Sequence, residues 1–312
     1  MKYPKIAFIF NPVAGKGEAG RYYTTFLSLL PPQVVCRGFE TTGRQTDLVR
    51  SLVQQGYFAL IIAGGDGTVH EIVNEIMRCK GDLVIGILPV GTGNDFARSL
   101  IDYRAFAAHP QSYLTELARA LTRKTVGKRK VEVFSVNDKV FFSSYLGIGF
   151  DGRVISSFQQ YRSFPLPNKL LYLFSIVKTL LKRRRFRVEL LGEDKKPWDS
   201  GLQDLFQVLL LKSSSYAGGV FQADMQGSGT GFRLVCMKTE REFLHFFLKN
   251  CSFESLRKRA TGKDPMVLNT DSISLEITGE VPVQIDGENY SEKFSKGGVL
   301  TVRKAGEIRL IL

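Results

Sequence analysis

The sequence is poor in cysteine, and its four cysteines lie far apart. Cys36, Cys79, Cys236 and Cys251 form no CxxC pair and have no histidine cluster nearby. Structural zinc sites need closely spaced Cys and His ligands, and disulfide frameworks need a dense, even set of cysteines. The sequence therefore argues against both, and it favours a reducing compartment such as the cytoplasm.

Long apolar runs are missing as well. No stretch approaches the roughly 18 uninterrupted apolar residues that a membrane-spanning helix needs. The first apolar run, Ile6 to Phe10, is too short for the core of a signal peptide and ends at Asn11-Pro12. We therefore expect a soluble, cytoplasmic protein that can still associate peripherally with a membrane.

Acidic residues are outnumbered by basic ones. The 312 residues include 43 Lys and Arg against 30 Asp and Glu, which gives a formal net charge of +13. Such an excess favours a polyanionic partner: a nucleic acid, a nucleotide or an anionic membrane surface. The sequence has no RNP-like, helix-turn-helix or zinc signature, so we expect no nucleic-acid partner.

The pattern of apolar runs differs between residues 1–130 and residues 131–304, which predicts two domains. Over residues 1–130 the short apolar runs "KIAFIF", "QVVCRGF", "FALIIA" and "LVIGIL" read as buried strands, and helical i, i+3, i+4 patterns lie between them. This alternation predicts an α/β domain with a parallel sheet. Residues 131–304 are mostly short strands separated by turns, which predicts a β-sandwich. The closing "EIRLIL", about residues 305–312, could return to the first domain.

Three glycine-bearing loops follow strands of the first domain. They are "FIFNPVAGKG", "IIAGGDGT" and "GILPVGTGNDFARSL". The carboxyl ends of strands in an open α/β sheet line one crevice, and glycines let backbone amides approach phosphate oxygens there. The loops match neither a P-loop nor a dinucleotide fingerprint. One such loop is often only a turn, but three on one edge favour a phosphate site.

The second loop carries a lone carboxylate, Asp66, at the mouth of a helix. Thr68 to Glu71 has the pattern of a capping box, which predicts that the helix begins at Thr68. Asp66 would then be available to face Mg²⁺ on a nucleotide or an incoming hydroxyl. The alternative is that Asp66 only shapes an Asx turn.

Together these motifs resemble the diacylglycerol kinase catalytic-domain family, which includes bacterial lipid kinases, sphingosine kinases and ceramide kinases. The resemblance rests on "NPVAGKG", "GGDGTVHEIVNEI", "LPVGTGNDFAR" and the distant "VQIDGE". "GGDGT" alone is shared with NAD kinases and phosphofructokinases, whose α/β domain the first domain should therefore resemble. The resemblance implies a kinase that uses ATP and Mg²⁺.

The resemblance also implies roles for individual residues. Glu288 corresponds to the family's proton acceptor, and Asp66 is the other acidic residue beside the transferred phosphate. Asp95 falls on the substrate side. Thr41, or its neighbour Thr42, corresponds to a nucleotide-contacting threonine. The expected nucleotide-binding residues are Asn11, Pro12, Gly15, Lys16, Thr41, Gly65, Gly67, Thr68, Glu71, Thr92 and Asn94.

Two positions depart from the family pattern. The family often holds a structural Mg²⁺ with an aspartate and two main-chain carbonyls, but here Thr230 replaces that aspartate, and Asp224 is out of register. A threonine hydroxyl is a weak Mg²⁺ ligand. We therefore expect this secondary metal site to be weak or absent. Glu132 replaces another aspartate, which keeps the charge but lengthens the side chain.

An apolar stripe with a basic end follows near residue 170. Leu170, Leu171, Phe174, Val177 and Leu181 share roughly one helical face and precede the basic run 182–185. This pattern suits an anionic bilayer surface. The alternative is a helix that packs into the core and leaves only its basic end in water.

The expected function is that of an ATP- and Mg²⁺-dependent lipid kinase. Its leading substrate is diacylglycerol, which would give phosphatidic acid. Sphingoid bases, other lipids, NAD⁺, or a non-catalytic lipid-binding regulator on the same fold are the alternatives. The oligomeric state is open, with a homodimer as one option.

Overall fold

The computed structural model describes residues 4–12, 14–41, 46–123, 128–161, 163–192, 196–197, 201–223, 230–251, 254, 262–294 and 296–311. The chain divides into two compact units. Unit 1 comprises Met1–Val133, Ala217–Gly219 and Ala305–Leu312, and unit 2 comprises Phe134–Tyr216 and Val220–Lys304. Among the described residues, no helix is long and apolar enough to cross a bilayer.

Unit 1 alternates strands and helices. Its elements are β1 (Lys5–Phe10), a 3₁₀ turn (Ala14–Gly17), α1 (Ala19–Ser28), β2 (Val35–Glu40), α2 (Thr46–Gln54), β3 (Ala59–Gly64), α3 (Asp66–Cys79), β4 (Val84–Pro89), α4 (Asp95–Arg98), α5 (Tyr103–Ala108), α6 (Pro110–Thr122) and the start of β5 (Lys128–Val136). The strands run parallel in the order β2-β1-β3-β4. This confirms the predicted α/β fold.

The core of unit 1 sits on the central strands. Every residue of β3 and β4 is buried, because apolar side chains on both faces of a parallel sheet are covered by helices. Gly86 shows how tightly α6 packs there, since a Cβ at Gly86 would lie 2.9 Å from the side chain of Leu117. The prediction of a buried strand at "QVVCRGF" is wrong: β2 is the edge strand, and Val35 is exposed.

Unit 2 is built mainly from antiparallel strands. Its elements are the rest of β5, β6 (Val140–Phe142), β7 (Tyr145–Gly149), α7 (Phe150–Tyr161), α8 (Asn168–Leu181), β8 (Phe186–Leu191), β9 (Gln203–Leu205), β10 (Gln207–Leu211), β11 (Ser215–Tyr216), β12 (Phe221–Gln222), β13 (Phe232–Met237), α9 (Glu240–Lys249), β14 (Met266–Thr270), β15 (Ser272–Thr278), β16 (Val283–Ile285), β17 (Glu288–Asn289), α10 (Ser291–Phe294) and β18 (Gly298–Ile311).

Two sheets of unit 2 face each other across one apolar core. One sheet has the order β14-β13-β10-β7-β16-β17, and the other contains β18-β15-β8-β9 with β5 and β6. Alternate residues from both sheets meet in the core, among them Leu146 and Leu210 from the first and Val188 and Leu275 from the second. This confirms the predicted sandwich. The sequence analysis gave no prediction for α7, which follows β7 directly.

The last strand, β18, is one continuous strand of 14 residues. Its first part pairs antiparallel with β15 inside unit 2. Its last part pairs parallel with β4 inside unit 1, where Arg309 and Leu310 lie opposite Val84 and Ile85. The closing "EIRLIL", expected to be a strand of its own, is therefore the end of a strand that begins at Gly298.

Candidate active site

The loop that follows β3 leads into α3 through a single residue. Gly65 is the N-cap, with extended backbone angles, and the helix begins at Asp66. The prediction that it begins at Thr68 is wrong, because Thr68 already lies in the first turn and packs back over Gly64. A glycine cap has no side chain to occupy the first amides of the helix, and such amides favour an anion.

The Asp66 side chain reaches across to the next loop. Its Oδ1 accepts a hydrogen bond from the backbone amide of Phe96 at 3.1 Å. Burial and, to a smaller extent, the charge of Asp95 raise the pKa of Asp66 to about 6, against the lowering effect of hydrogen bonds from the backbone of residues 94–96. The bond to Phe96 spans 30 residues, so Asp66 does more than shape a local turn. A carboxylate with a pKa near neutrality suits proton transfer.

The loop that follows β4 is held in shape by Asn94. This residue is buried and adopts a left-handed conformation, with φ of 56°. Its Oδ1 accepts from the Gly91 amide at 3.0 Å, and its Nδ2 donates to the carbonyls of Pro89 at 3.0 Å and Gly91 at 2.7 Å. The side-chain amide of Asn94 therefore forms its hydrogen bonds within its own loop. We expect Asn94 to contribute to nucleotide binding indirectly, by fixing the shape of that loop.

Glycines allow these two loops to touch. A Cβ on Gly91 would lie 2.3 Å from the Cα of Gly65, and a Cβ on Gly93 would lie 2.8 Å from Oδ2 of Asp66. A side chain at Gly91 would require the backbone to move, and a side chain at Gly93 would require the Asp66 carboxylate to move. The glycines thus bring the Asp66 carboxylate against the second loop.

Asp95 binds a segment that lies far away in the sequence. Its Oδ2 accepts from the amide of Gly218 at 2.8 Å, and its Oδ1 accepts from the amide of Gly219 at 2.9 Å. Both glycines have positive φ, 71° and 82°. The buried Asp95 therefore holds Ala217–Gly219 beside the second loop.

Arg98 supports the same arrangement. Its Nε donates to the carbonyl of Gly93 at 2.8 Å, and its guanidinium lies 3.8 Å from the ring centroid of Tyr103. A Cβ on Gly219 would lie 3.0 Å from the Arg98 side chain. Roles for Arg98, Gly218 and Gly219 were not predicted from the sequence, although "GTGNDFAR" contains Arg98 and "YAGG" contains both glycines. The i, i+3 spacing of Asp95 and Arg98 and the paired glycines were the available signals.

The first loop and the Thr41 position complete this edge of the sheet. The Asn11 amide donates to the carbonyl of Ala63 at 3.1 Å, and the Thr41 amide donates to the carbonyl of Phe10 at 2.9 Å. Gly15 has φ of 59°, and a Cβ there would lie 3.2 Å from the Cβ of Val90. The backbone of Lys16 lies in the 3₁₀ turn, but its side chain and the whole of Thr42 lie outside the described residues.

Within unit 1 the structure therefore gathers most of the predicted positions. They follow the carboxyl ends of β1, β2, β3 and β4, which are neighbours in the sheet. Glu71 lies a turn into α3 and is exposed. Glu132 lies partly buried on β5.

Glu288 lies in unit 2, beside a two-residue hairpin turn. Asp286 and Gly287, with φ of 49° and 86°, connect β16 to β17, and Glu288 pairs with Ile285. Positive φ at both positions matches a type I′ turn. The Asp286 carboxylate accepts from the amides of Ser143 at 3.2 Å and of Ser144 and Tyr145 at 3.0 Å. The predicted Asp-Gly hairpin turn is therefore present, and the exposed Glu288 directly follows this hydrogen-bonded turn.

Residues 5–129, which contain the loops after β1, β3 and β4, match the family model for the diacylglycerol kinase catalytic domain. This segment, about two fifths of the chain, is therefore similar to that family. The resemblance drawn from the motifs is thus confirmed for the part of the chain that the match covers.

Proteins that are similar in sequence to this chain are named as lipid kinases. A "Probable lipid kinase YegS-like" from Pseudomonas aeruginosa is 31% identical over 145 residues, which are 46% of this chain and 40% of that protein. A diacylglycerol kinase from Staphylococcus saprophyticus is 40% identical over 100 residues, 30% of this chain and 31% of that protein. The chain therefore aligns with less than half the length of these two relatives.

A solved structure matches the whole fold. The crystal structure of a diacylglycerol kinase from Bacillus anthracis str. Sterne has a TM-score of 0.64 and 20% identity, and the match covers 100% of this chain and 97% of that one. At this identity the likeness concerns the fold alone. It includes the sandwich unit, which the family match does not reach.

Thr230, where the resemblance implies a ligand of a secondary magnesium ion, offers a hydroxyl in place of a carboxylate. Thr230 is exposed, and Lys212 donates from Nζ to the carbonyl of the next residue, Gly231, at 2.8 Å. The same ammonium lies 5.7 Å from the ring centroid of Phe134. Mg²⁺ prefers carboxylate oxygens and is repelled by a neighbouring ammonium. Asp224 lies outside the described residues, which include no cluster of three or more His, Cys, Asp or Glu suited to a metal.

Asp151, another buried carboxylate that was not singled out from the sequence, lies at the start of α7. Asp151 Oδ2 accepts from Nε2 of Gln207 at 2.7 Å, and its amide donates to Oε1 of Gln207 at 3.0 Å. Burial raises the pKa of Asp151 to about 6, although hydrogen bonds from Tyr216 and Gln207 lower it. Tyr216 directly precedes Ala217–Gly219, the segment that Asp95 binds. Asp151 therefore helps to fix Tyr216 inside unit 2.

Proposed function

We propose that this protein is an ATP- and Mg²⁺-dependent lipid kinase. It transfers the γ-phosphate to a hydroxyl of a membrane lipid, and diacylglycerol, giving phosphatidic acid, is the leading substrate. The observation that carries this proposal is Asp66: a carboxylate with a pKa of about 6, set among glycine loops in a segment that matches the family model for the diacylglycerol kinase catalytic domain.

Phosphoryl transfer depends mainly on positioning and charge stabilisation. The amides at the start of α3 and in the glycine loops are suited to phosphate oxygens, because glycines let the backbone approach an anion closely and the start of a helix favours negative charge. The family resemblance adds Lys16 and Thr41 as nucleotide contacts. When Mg²⁺ is bound with ATP, it neutralises charge on the β- and γ-phosphates. The Asp66 carboxylate offers the oxygen ligand that this ion prefers.

Glu288 serves as the proton acceptor in this proposal, and Asp66 lies beside the transferred phosphate. General-base assistance contributes roughly 10²- to 10⁴-fold to the rate. The hairpin supports this role, because three amide bonds to Asp286 hold the turn that precedes Glu288. We further propose that the protein works in the cytoplasm, bound peripherally to an anionic membrane surface. A homodimer is compatible with this scheme.

The decisive experiment measures transfer of γ-labelled phosphate from ATP with Mg²⁺ to mixed micelles. Separate micelles carry diacylglycerol, sphingosine, monoacylglycerol or a polyprenol, and NAD⁺ is offered in a parallel aqueous reaction. Label in the organic extract supports the lipid kinase, and the accepting lipid names the substrate. Label on NAD⁺ refutes it. A folded, ATP-binding protein that labels nothing points to the non-catalytic regulator.

Two substitutions test the assigned chemistry. Asp66→Asn and Glu288→Gln keep the size of each side chain and remove its charge. Each is expected to lower kcat by at least about 100-fold while the protein still binds ATP. Asp102→Asn is the matched control, since Asp102 only caps α5 by accepting from the Ala105 amide. Rates near wild type in either variant would remove that residue from the mechanism.

A further inference from the structure

Helix α8 exposes the face that a helix in water normally buries. Its apolar residues Leu170, Leu173, Phe174, Val177 and Leu181 are all about half exposed or more, and Leu181 is 77% exposed. The opposite side, which includes Leu171, Ser175 and Thr179, is buried. A helix on the surface of a globular protein normally has polar residues on its outer face, so the apolar outer face of α8 is the unusual feature.

The exposed apolar residues of α8 follow i, i+3 and i+4 spacing, which places them on one face of the helix. We define the α8 surface as Leu170, Leu173, Phe174, Val177 and Leu181 together with Phe164 and Leu166 of the preceding turn. The structure describes fourteen large apolar side chains as exposed, and seven of them belong to this surface. Such a concentration on one element marks an interaction site, whereas scattered exposed residues need no explanation.

The charge around the α8 surface has one sign. The 37 residues between Asp151 and Glu189 include nine Lys and Arg and no Asp or Glu. The four residues that follow Leu181, Lys182 to Arg185, are all basic and exposed. Their positive charges therefore lie next to the most exposed leucine of the patch.

The helix is suited to lie on a bilayer. α8 has 14 residues, which is about 21 Å at 1.5 Å per residue, and this is shorter than the roughly 30 Å hydrocarbon core. An apolar face flanked by basic residues is the pattern of a helix that lies in the interface of an anionic membrane. A protein partner could cover the apolar residues, but an acidic headgroup layer also matches the adjacent basic run.

We propose that the α8 surface docks on an anionic lipid bilayer, with its leucines and Phe174 inserted at the level of the headgroups. The inference deepens the proposed function and rests on it, since a lipid kinase must meet its substrate at a membrane. The basic run 182–185 provides the preference for anionic lipid. Each of its residues contributes about fivefold to the partition coefficient.

The test is co-sedimentation with vesicles in the absence of ATP and substrate. The probes are phosphatidylcholine vesicles with and without 30% phosphatidylglycerol, a composition chosen as the order of magnitude of anionic lipid in a charged leaflet. The triple variant L170Q/L173Q/F174Q is expected to lose at least about tenfold in binding. The double variant K182Q/R185Q is expected to lose roughly 20-fold on anionic vesicles and little on neutral ones. L27Q and R104Q, at exposed positions of unit 1, are the matched controls.

Three outcomes would overturn the proposal. They are no binding of the wild type to anionic vesicles, unchanged binding of the triple variant, and concentration-dependent self-association through the patch in place of vesicle binding. Circular dichroism melts establish that the variants are folded. Phosphate transfer to a short-chain, water-soluble diacylglycerol separates this inference from the proposed function. A variant that keeps this transfer but loses transfer in vesicles supports docking. A wild type that binds vesicles and phosphorylates no lipid refutes only the kinase.

Discussion

Replacing Asp95 with Asn changes the acidity of Asp66 without touching its side chain. The charge of Asp95 is the second cause, after burial, of the raised pKa of Asp66, which is about 6 against an ordinary value of 3.8. Removing a like charge from a partly buried site lowers a neighbouring pKa by on the order of one unit. We therefore expect the pKa of Asp66 to fall to about 5 in Asp95→Asn.

The direction of the effect follows from the role of Asp66. In the proposed function its carboxylate acts in the ionised form, so activity is expected to rise with pH through the pKa of Asp66. In the wild type the acidic limb of kcat/KM should have its midpoint near pH 6, the value of this pKa. In Asp95→Asn the midpoint moves to lower pH even though the maximal rate also falls.

Asp95→Asn should also weaken the fold, for a reason that the structure makes explicit. The two carboxylate oxygens accept from the amides of Gly218 and Gly219, and an asparagine supplies only one acceptor oxygen. Leaving one buried amide without its charged partner costs about 1.5–3 kcal/mol, which denaturant unfolding can measure. An acidic limb that stays near pH 6 in Asp95→Asn, or that moves equally in the control Asp102→Asn, would refute this account of Asp66.

Three further predictions concern packing, pH and metal. Gly91→Ala should destabilise the protein by at least about 2 kcal/mol, because the new Cβ would lie 2.3 Å from the Cα of Gly65. Urea unfolding measures this loss, and a loss below about 0.5 kcal/mol, the size of an ordinary surface effect, would contradict the prediction. The pKa of Asp151 is raised from 3.8 to about 6. The protonated carboxyl therefore contributes stability that is present below pH 3.8 and is lost as pH rises through 6, on the order of 2–3 kcal/mol. The unfolding free energy of Asp151→Asn should fall less than that of wild type between these pH values, and equal falls would refute the assignment. In the absence of nucleotide, the wild type should have the same melting midpoint in Mg²⁺ and in EDTA, and a marked rise with Mg²⁺ would show that the secondary metal site is intact. Lys212→Met should lower the melting midpoint, because the hydrogen bond from Lys212 to the carbonyl of Gly231 is lost.

The sequence was informative wherever the signal is local and periodic. Buried apolar runs predicted the parallel sheet, and strand ends followed by glycines predicted where Asp66 and Asn94 would lie. The helix start at Asp66 was missed because the Thr68–Glu71 pattern competes with a glycine cap, and only the backbone angles of Gly65 decide between them.

Long-range contacts could not be predicted in this way. The bonds from Asp95 to Gly218 and Gly219 join residues more than 120 positions apart, and no periodic pattern encodes such pairs. Helix α8 shows a related limit. Spacing gave its apolar stripe, but Leu171 is buried while Leu170 and Phe174 are exposed, because the orientation depends on what α7 leaves uncovered.

The path of β18 bears on how the chain folds as it is synthesised. Strand β4 pairs with β3 on one side and with Arg309 and Leu310 of β18 on the other. A nascent chain that has reached only residue 130 therefore lacks the strand that covers β4, and it presents an open, apolar sheet edge of the kind that leads to aggregation. The sheet of unit 1 can be completed only after Arg309 and Leu310 have emerged from the ribosome. Deletion of residues 305–312 should consequently destabilise a sheet whose other strands are synthesised much earlier.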